Sequence, residues 1–296
     1  MTAITGTQRA TAAAAPLTAP RRTRVRVARW LLLAALLLLL VFLLFPFALV
    51  AVNAVKSPAD YATNGPLALP EAMYLNGVRE FWTRVDFTQK LLNSLMISGT
   101  VAVAGVALSL LNAYAIGIGR VRGRLWVLVF FLTANMLPHE ALAYPLYYVA
   151  KAVGLYDTRL SVTLIFIVIQ SAFGTYLLSS VFGSFPREIL EAAEVDGAGK
   201  LATLVRIVVP ISWPTLSMLF TLFFIWTWNE FFLPLIFLIS NDNQTVPVAL
   251  GVLQGQRLMD ATMSSASALL GIVPAVVFFL IFQRTLTKGI TAGAVK

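Results

Sequence analysis

The sequence predicts an all-α membrane protein, a polytopic bundle of six transmembrane helices, and three observations carry that prediction. Of its 296 residues, 59% are hydrophobic and only 12% charged, against roughly a quarter charged in an ordinary soluble domain. The charges are spaced so that six apolar runs remain, each long enough to cross about 30 Å of hydrocarbon as a helix. None of the runs alternates, which excludes a β-barrel.

The first run lies between Arg29 and Lys56 and centres on LLLAALLLLLVFLLFPFALV. At roughly −0.3 to −0.6 kcal/mol for each Leu, Ile, Phe or Val, it inserts favourably despite Pro46. It exceeds the roughly 7–15 apolar residues of a signal core, so it reads as an uncleaved span, although Val52–Ala54 resembles a cleavage site. Residues 1–29 ahead of it form a basic tail rich in Ala, Thr and Arg, a composition that favours disorder. The remaining runs lie between Lys90 and Arg120, Arg124 and Lys151, Arg159 and Arg187, Arg206 and Asp242, and Asp260 and Arg284. The expected spans are 30–55, 91–118, 125–149, 160–183, 208–240 and 263–283, within a membrane domain covering 30–288. A short tail, 289–296, follows. Between the first two spans, SPAD, NGPLALP, Tyr74, Phe81 and Trp82 suggest a short amphipathic helix at the outer interface.

Lys and Arg set the orientation. They gather in the N-terminal tail (Arg9, Arg21, Arg22, Arg24, Arg26, Arg29), in the second connection (Arg120, Arg122, Arg124), in the fourth (Arg187, Lys200, Arg206) and near the C-terminus. All of these fall on one side, so the positive-inside rule places both termini in the cytoplasm. The net charge of +9 therefore reads as topology and contact with anionic lipid, not as a nucleic-acid surface. With no cysteine and a single histidine, thiol chemistry, disulfides and a zinc cluster are excluded or disfavoured.

The fourth connection, residues 184–210, contains EAAEVDGAGKLATLVRIVVP, from Glu191 to Pro210. GAGKLA imitates a nucleotide-binding turn in its letters only. A P-loop needs glycine where Glu194 stands and Ser or Thr where Leu201 stands, and the dinucleotide turn needs a preceding strand. Two short helices fit better. Pro186 and Glu188 suit a first turn, and Gly197 can take the left-handed conformation that ends the helix. A second helix then begins at Asp196 or Gly197, with Leu201, Leu204, Val205 and Val208 on one apolar stripe. Ala192 and Ala193 leave the first helix thin on one side, where another surface can approach closely. Physics alone leaves two readings open: a docking surface for a soluble partner, or an amphipathic connector lying on the membrane.

These residues resemble the EAA loop of the permease subunits of bacterial ABC importers. Glu191, Ala192, Ala193, Asp196, Gly197, Ala198, Ile207 and Pro210 fall on the family pattern, and Val209 replaces its usual Leu. The resemblance continues through NSLMIS from Asn93, YAIGIGRVRGR from Tyr114, PHEALAYPLY from Pro138, GLYDT from Gly154, WNEFFLPL from Trp228 and KGITAGAVK from Lys288. These look like the carbohydrate branch, and within it the shorter second permease of maltose-type systems. The tail lacks one glycine common in the family. The resemblance implies a type I importer permease fold in the bacterial cell membrane and import of a di- or oligosaccharide. It also implies a second, longer permease, two ATPase subunits that hold ATP and Mg, an extracytoplasmic sugar-binding protein, and no cofactor in this chain. Glu191, Ala192, Ala193, Asp196, Gly197, Ala198, Gly199 and Pro210 would then seat in a cleft of one ATPase.

Polar groups inside the spans are the candidates for the substrate path. An acid near the bilayer centre costs about 2.5–3.5 kcal/mol on insertion scales, which favours the pathway or a helix partner over lipid; Glu140 suits pathway lining or packing equally, and Glu230 reads first as a snorkelling or helix-packing carboxylate near the outer surface. Asn135, Gln170, Tyr176, Trp228 and Asn229 supply the amide, hydroxyl and aromatic groups that hold sugars, but they also suit helix bridging and interface anchoring. Between the last two spans, Leu250, Gly251, Gln254, Gly255 and Gln256 form the expected contact with the binding protein, or else a plain hairpin. The alternative function is a proton- or cation-coupled secondary transporter working through Glu140 and Glu230; such folds are usually built from repeated halves, and no repeat is visible here.

Overall fold

The computed structural model describes the backbone of residues 21–119, 121–255 and 260–294, and the side chains of 29–119, 121–252 and 260–283. Among the described residues all regular structure is helical. Helix α1, Arg21–Ala54, carries most of a first compact unit that ends at Leu49. Leu side chains cover every face of it, and those from Leu31 to Leu44 are exposed. A helix apolar all round, with no partner among the described residues of its own unit, is suited to lipid.

The second unit, residues 50–296, opens with two short helices, α2 (Pro58–Asn64) and α3 (Asn76–Arg84). Ser57 caps α2 by accepting from the Asp60 amide at 3.1 Å. The Asp60 carboxylate accepts from Asn64 Nδ2 at 2.8 Å and from the Glu71 amide at 3.1 Å, and the buried Lys56 donates to the Gly65 carbonyl at 2.8 Å. The apolar edge of the amphipathic α3 packs on protein. Phe81 is fully buried against Phe87, Val246 and Met263, because Phe87 and Val246 offer a protein surface of matching chemistry.

Helix α4 (Phe87–Ala113) runs on into a wide π turn, Tyr114–Ile118. Then come α5 (Arg124–Asn135), α6 (His139–Ala152), α7 (Arg159–Gly183), α8 (Arg187–Val195), α9 (Lys200–Thr203), a second π turn (Leu204–Val208), α10 (Val209–Asn229), α11 (Phe232–Phe237), α12 (Val246–Gly255) and α13 (Ala261–Ala294). Among the described residues, five helical segments are long and apolar enough to cross a membrane, and the bent pair α5 and α6 makes six if it counts as one crossing.

Two expected spans differ in detail. The third, 125–149, is not one rod: α5 and α6 meet at 95°. Pro138 has no N–H, disfavours helix at Leu137, and is itself extended with ψ 131°. The fifth, 208–240, starts earlier and stops earlier, as one helix from Lys200 to Asn229. Glu230 turns extended at ψ 129°, and its carboxylate accepts from the Phe232 amide at 3.2 Å. Pro234 then sits in the first turn of α11, where its missing N–H costs no helical bond.

The core joins α4, α7 and α10 through Ala102, Leu178, Phe182, Leu219 and Phe223. At its centre, Ser109 Oγ donates to the Gly105 carbonyl at 2.6 Å, and Gly174 of α7 crosses Ser109 at close range. A second cluster, including Ile97, Phe166, Leu233 and Phe237, ties α11 to α4 and α7.

Candidate functional site

The loop between α7 and α10 has the two helices that its sequence predicts, with a different join. Pro186 precedes α8, and Glu188 lies in the first turn. The helix ends as the amides of Asp196, Gly197 and Ala198 donate to the carbonyls of Ala192 (3.0 Å), Glu194 (3.0 Å) and Ala193 (2.9 Å). Gly197 holds φ +76°, the left-handed conformation in which a Cβ is strained. The next helix starts at Lys200 rather than at Asp196 or Gly197. Gly199 is the extended residue before it and accepts from the Thr203 amide at 2.9 Å.

The apolar stripe splits. Leu204 and Val208 are buried, but Leu201 is 72% and Val205 56% exposed. The π turn at 204–208 widens the helix just before Pro210, which has no N–H to return to the preceding turn. The alanine pair splits too: Ala193 is buried, whereas Ala192 is exposed. The outward surface therefore combines apolar Ile189, Val195 and Leu201 with the acids Glu188, Glu191, Glu194 and Asp196. Among the described residues, none of those four carboxylates has a hydrogen-bond or ion-pair partner. Glu191, Glu194, Ala198 and Gly199 also line a concavity of about 890 Å³ shared with Tyr114 and Arg187. Tyr114 donates its hydroxyl to the Lys200 carbonyl at 2.9 Å and so ties α4 to the start of the long helix. The sequence marks Tyr114 only as part of YAIGIGR; nothing in its spacing announces this contact.

At the far end of the helix, Trp228 and Asn229 line a concavity of about 640 Å³ together with Phe231, Leu250, Gly251 and Gly271. Two groups of residues singled out separately in the sequence thus meet. Trp228 is buried; Asn229 is exposed and donates to the Ile225 carbonyl at 2.8 Å. The other pathway candidates lie elsewhere. Gln170 is buried and donates to Thr227 Oγ1 at 2.7 Å, bridging α7 to α10. Tyr176 is exposed on α7, and Asn135 and Glu140 flank the α5–α6 bend, Glu140 exposed. Gln254 and Gly255 lie on the described backbone of α12 without described side chains, and Gln256 lies outside the described residues.

A polar clamp near this end carries no signature in the sequence. The buried Lys90 donates to the Asn241 carbonyl at 2.6 Å. Asn93 Nδ2 donates to the carbonyls of Asp242 at 2.7 Å and Gln244 at 2.9 Å, and Arg159 donates to Asn93 Oδ1 at 3.0 Å. Asp157, at φ +59°, accepts from the Ser240 amide at 2.9 Å and from the Ser240 hydroxyl. Burial pushes the Asp157 carboxyl up, but the bonds from Ser240 and Asn243 outweigh it and hold the group below the usual carboxylate range. Among the described residues no three His, Asp or Glu side chains converge on a metal-sized site.

An apolar helical bundle, crossed by one long helix with an exposed charged loop at one end and a concavity at the other, defines a membrane transport subunit. Residues 105–291 match the family of the binding-protein-dependent transport system inner membrane component, and the chain belongs to that family. It is 30% identical over 263 residues to the inner membrane ABC transporter permease protein YcjP of Escherichia coli, covering 88% of this chain and 94% of that one. It is also 30% identical over 271 residues to the trehalose/maltose transport system permease protein MalG of Thermococcus litoralis, covering 90% and 97%. The fold matches a chain of a bacterial ABC transporter involved in import of the acidic polysaccharide alginate, with a TM-score of 0.76 at 19% identity, covering 91% of this chain and 99% of that one.

Proposed function

We propose that this chain is one of two permeases forming the pathway of an ATP-driven importer of di- or oligosaccharides in a bacterial cell membrane, with both termini cytoplasmic. A longer permease supplies the other half. Two ATPase subunits hold ATP and Mg, and an extracytoplasmic binding protein delivers the sugar. The loop 184–210 seats on one ATPase through Glu191, Ala192, Asp196, Gly197 and Ala198, while α12 meets the binding protein beside the concavity at Trp228 and Asn229. The sugar class rests on the trehalose/maltose relative and on the alginate importer of the same fold. The observation that carries the reading is the loop 184–210, which carries a left-handed glycine, exposed Ile189, Val195 and Leu201, and four carboxylates without a partner among the described residues. A connector lying on lipid would turn its apolar side chains down and its charges up; here Val195, 86% exposed, falls between Glu188 and Glu191 around α8, so apolar and acidic groups share one face, as in a protein-binding surface. No observation favours the secondary-transporter reading, since Glu230 is engaged by its own chain turn.

Gly197→Leu tests it. A Cβ at φ +76° costs about 1–2 kcal/mol, and the open space around Gly197 is where an ATPase would close in. In complexes reconstituted with the partner permease and ATPases, Gly197→Leu should keep membrane insertion but lower ATPase co-purification or the ratio of sugar uptake to ATP turnover. Glu191→Ala should act the same way more mildly, by removing one charged contact. Normal assembly and a normal ratio in Gly197→Leu would reduce the loop to a connector and sink the reading.

A further inference from the structure

The continuous helix from Lys200 to Asn229 contains 30 residues, about 45 Å at 1.5 Å per residue. It begins in the inner loop and ends two residues before Phe231. There it meets α12 at a tight point. A Cβ on Gly251 would lie 2.5 Å from Phe231 Cε2 and 2.9 Å from Cζ, so the ring occupies the space of the missing side chain. On its other side α12 is backed by α13, where a Cβ on Gly271 would lie 2.7 Å from Leu250 Cδ1.

The start of α12 is anchored as well. The Val246 amide donates to Ser94 Oγ at 2.9 Å, and the Lys90, Asn93 and Asp157 bonds hold residues 240–244 from α4 and the α6–α7 connection. A short helix pinned at one end and seated along its length transmits displacement instead of absorbing it, because packed contacts shift between discrete arrangements. The place where α12 meets the end of the long helix is the Phe231 ring.

We propose that Phe231, seated in the notch at Gly251, is the positioning residue through which contact at α12 passes into the Lys200–Asn229 helix and so to the inner loop. The inference rests on the proposed function, which supplies a partner at each end of that helix. Phe231 needs no contact with sugar for this role; it acts through the fit of its ring against a bare backbone.

The test is a double-variant cycle in the reconstituted complex. Its readout is the fold-stimulation of ATP turnover by a binding protein loaded with whichever of maltose, trehalose or an alginate oligosaccharide raises that protein's melting temperature. Gly251→Ala should lower the stimulation about fivefold or more, the low end of ordinary coupling between sites. Phe231→Leu should lose less, and Phe231→Leu with Gly251→Ala should recover to the Phe231→Leu level, because the shorter side chain clears the new Cβ. Full stimulation in Gly251→Ala, or losses that multiply in the double variant, would overturn the proposal. If Gly251→Ala does not assemble, Phe231→Cys with Gly251→Cys takes its place, in a chain that has no cysteine of its own. Bridging the two thiols with a short reagent should restore stimulation; bridging that abolishes it or leaves it weak means α12 must slide past Phe231, and the link is wrong. A wild-type complex that no sugar-loaded binding protein stimulates overturns the importer reading, and this inference with it.

Discussion

Gly174 has no room for a side chain: a Cβ there would lie 2.8 Å from Ser109 Cβ and 2.9 Å from Phe223 Cζ, and closer still to Ser109 Oγ. The atoms come from two other helices, so no single rotamer change relieves them. Gly174→Ala should therefore destabilise the bundle by about 1–3 kcal/mol, read as a lower melting temperature in detergent. Gly99→Ala, in open space on α4, should be neutral or stabilise by up to about 1 kcal/mol. Legibility differs between glycines for a physical reason. The left-handed turn at Gly197 is encoded locally, by a helix ending in small and polar residues, and the sequence reveals it; the need for glycine at 174 or 251 comes from side chains far away in the chain. Asp157 is another case of the second kind. Its carboxyl is held low by Ser240 and Asn243, so its stabilising contribution is present above the unfolded value of about 3.9 and is lost as pH falls through the lower folded value. The melting temperature of Asp157→Asn should lie below wild type at neutral pH, and the gap should close below about pH 4.

Among elements, the apolar runs between charges are visible in the sequence because membrane insertion needs nothing but composition. The breaks inside them are harder to read. Pro138 marks the α5–α6 bend, yet Pro46, Pro145, Pro214 and Pro274 lie within helices that continue, so proline alone does not say where a span stops. The end of the long helix at Glu230 depends on a side chain capping its own turn, and only Leu204 and Val208 of the expected stripe face the bundle, while Leu201 and Val205 stay at the surface. Helix α3 shows the same limit: its amphipathicity is legible, but the surface it covers belongs to α4, α12 and α13. Phe81→Ala should cost about 3–5 kcal/mol, because Phe81 is fully buried, and should loosen 76–85 to proteolysis from the outer side. Trp82→Ala, at 38% exposure, should change the melting temperature far less. Equal effects would return α3 to the membrane interface.

For the whole molecule, the proposed orientation, with the loop 184–210 cytoplasmic and the concavity at Trp228 and Asn229 outside, is one that labelling can read. The chain has no cysteine, so single cysteines report without background. Val195 is 86% exposed on the loop 184–210, and Asp242 is exposed beside the clamp. In intact cells Asp242→Cys should react with an impermeant maleimide, and Val195→Cys should react only after permeabilisation, as the positive-inside rule requires. The reverse pattern would turn the proposed coupling loop outward, where no ATP is available, and would separate fold from function in this chain. The same orientation governs activity. GAGKLA lacks the residues of a phosphate-binding loop, so the chain purified alone should neither hydrolyse ATP nor move sugar into vesicles. Adding the second permease and the ATPases should produce hydrolysis that rises with sugar-loaded binding protein. Uptake by the isolated chain driven by a proton gradient would instead assign Glu140 and Glu230 the coupling role, and charge-removing variants at those two positions would then abolish it.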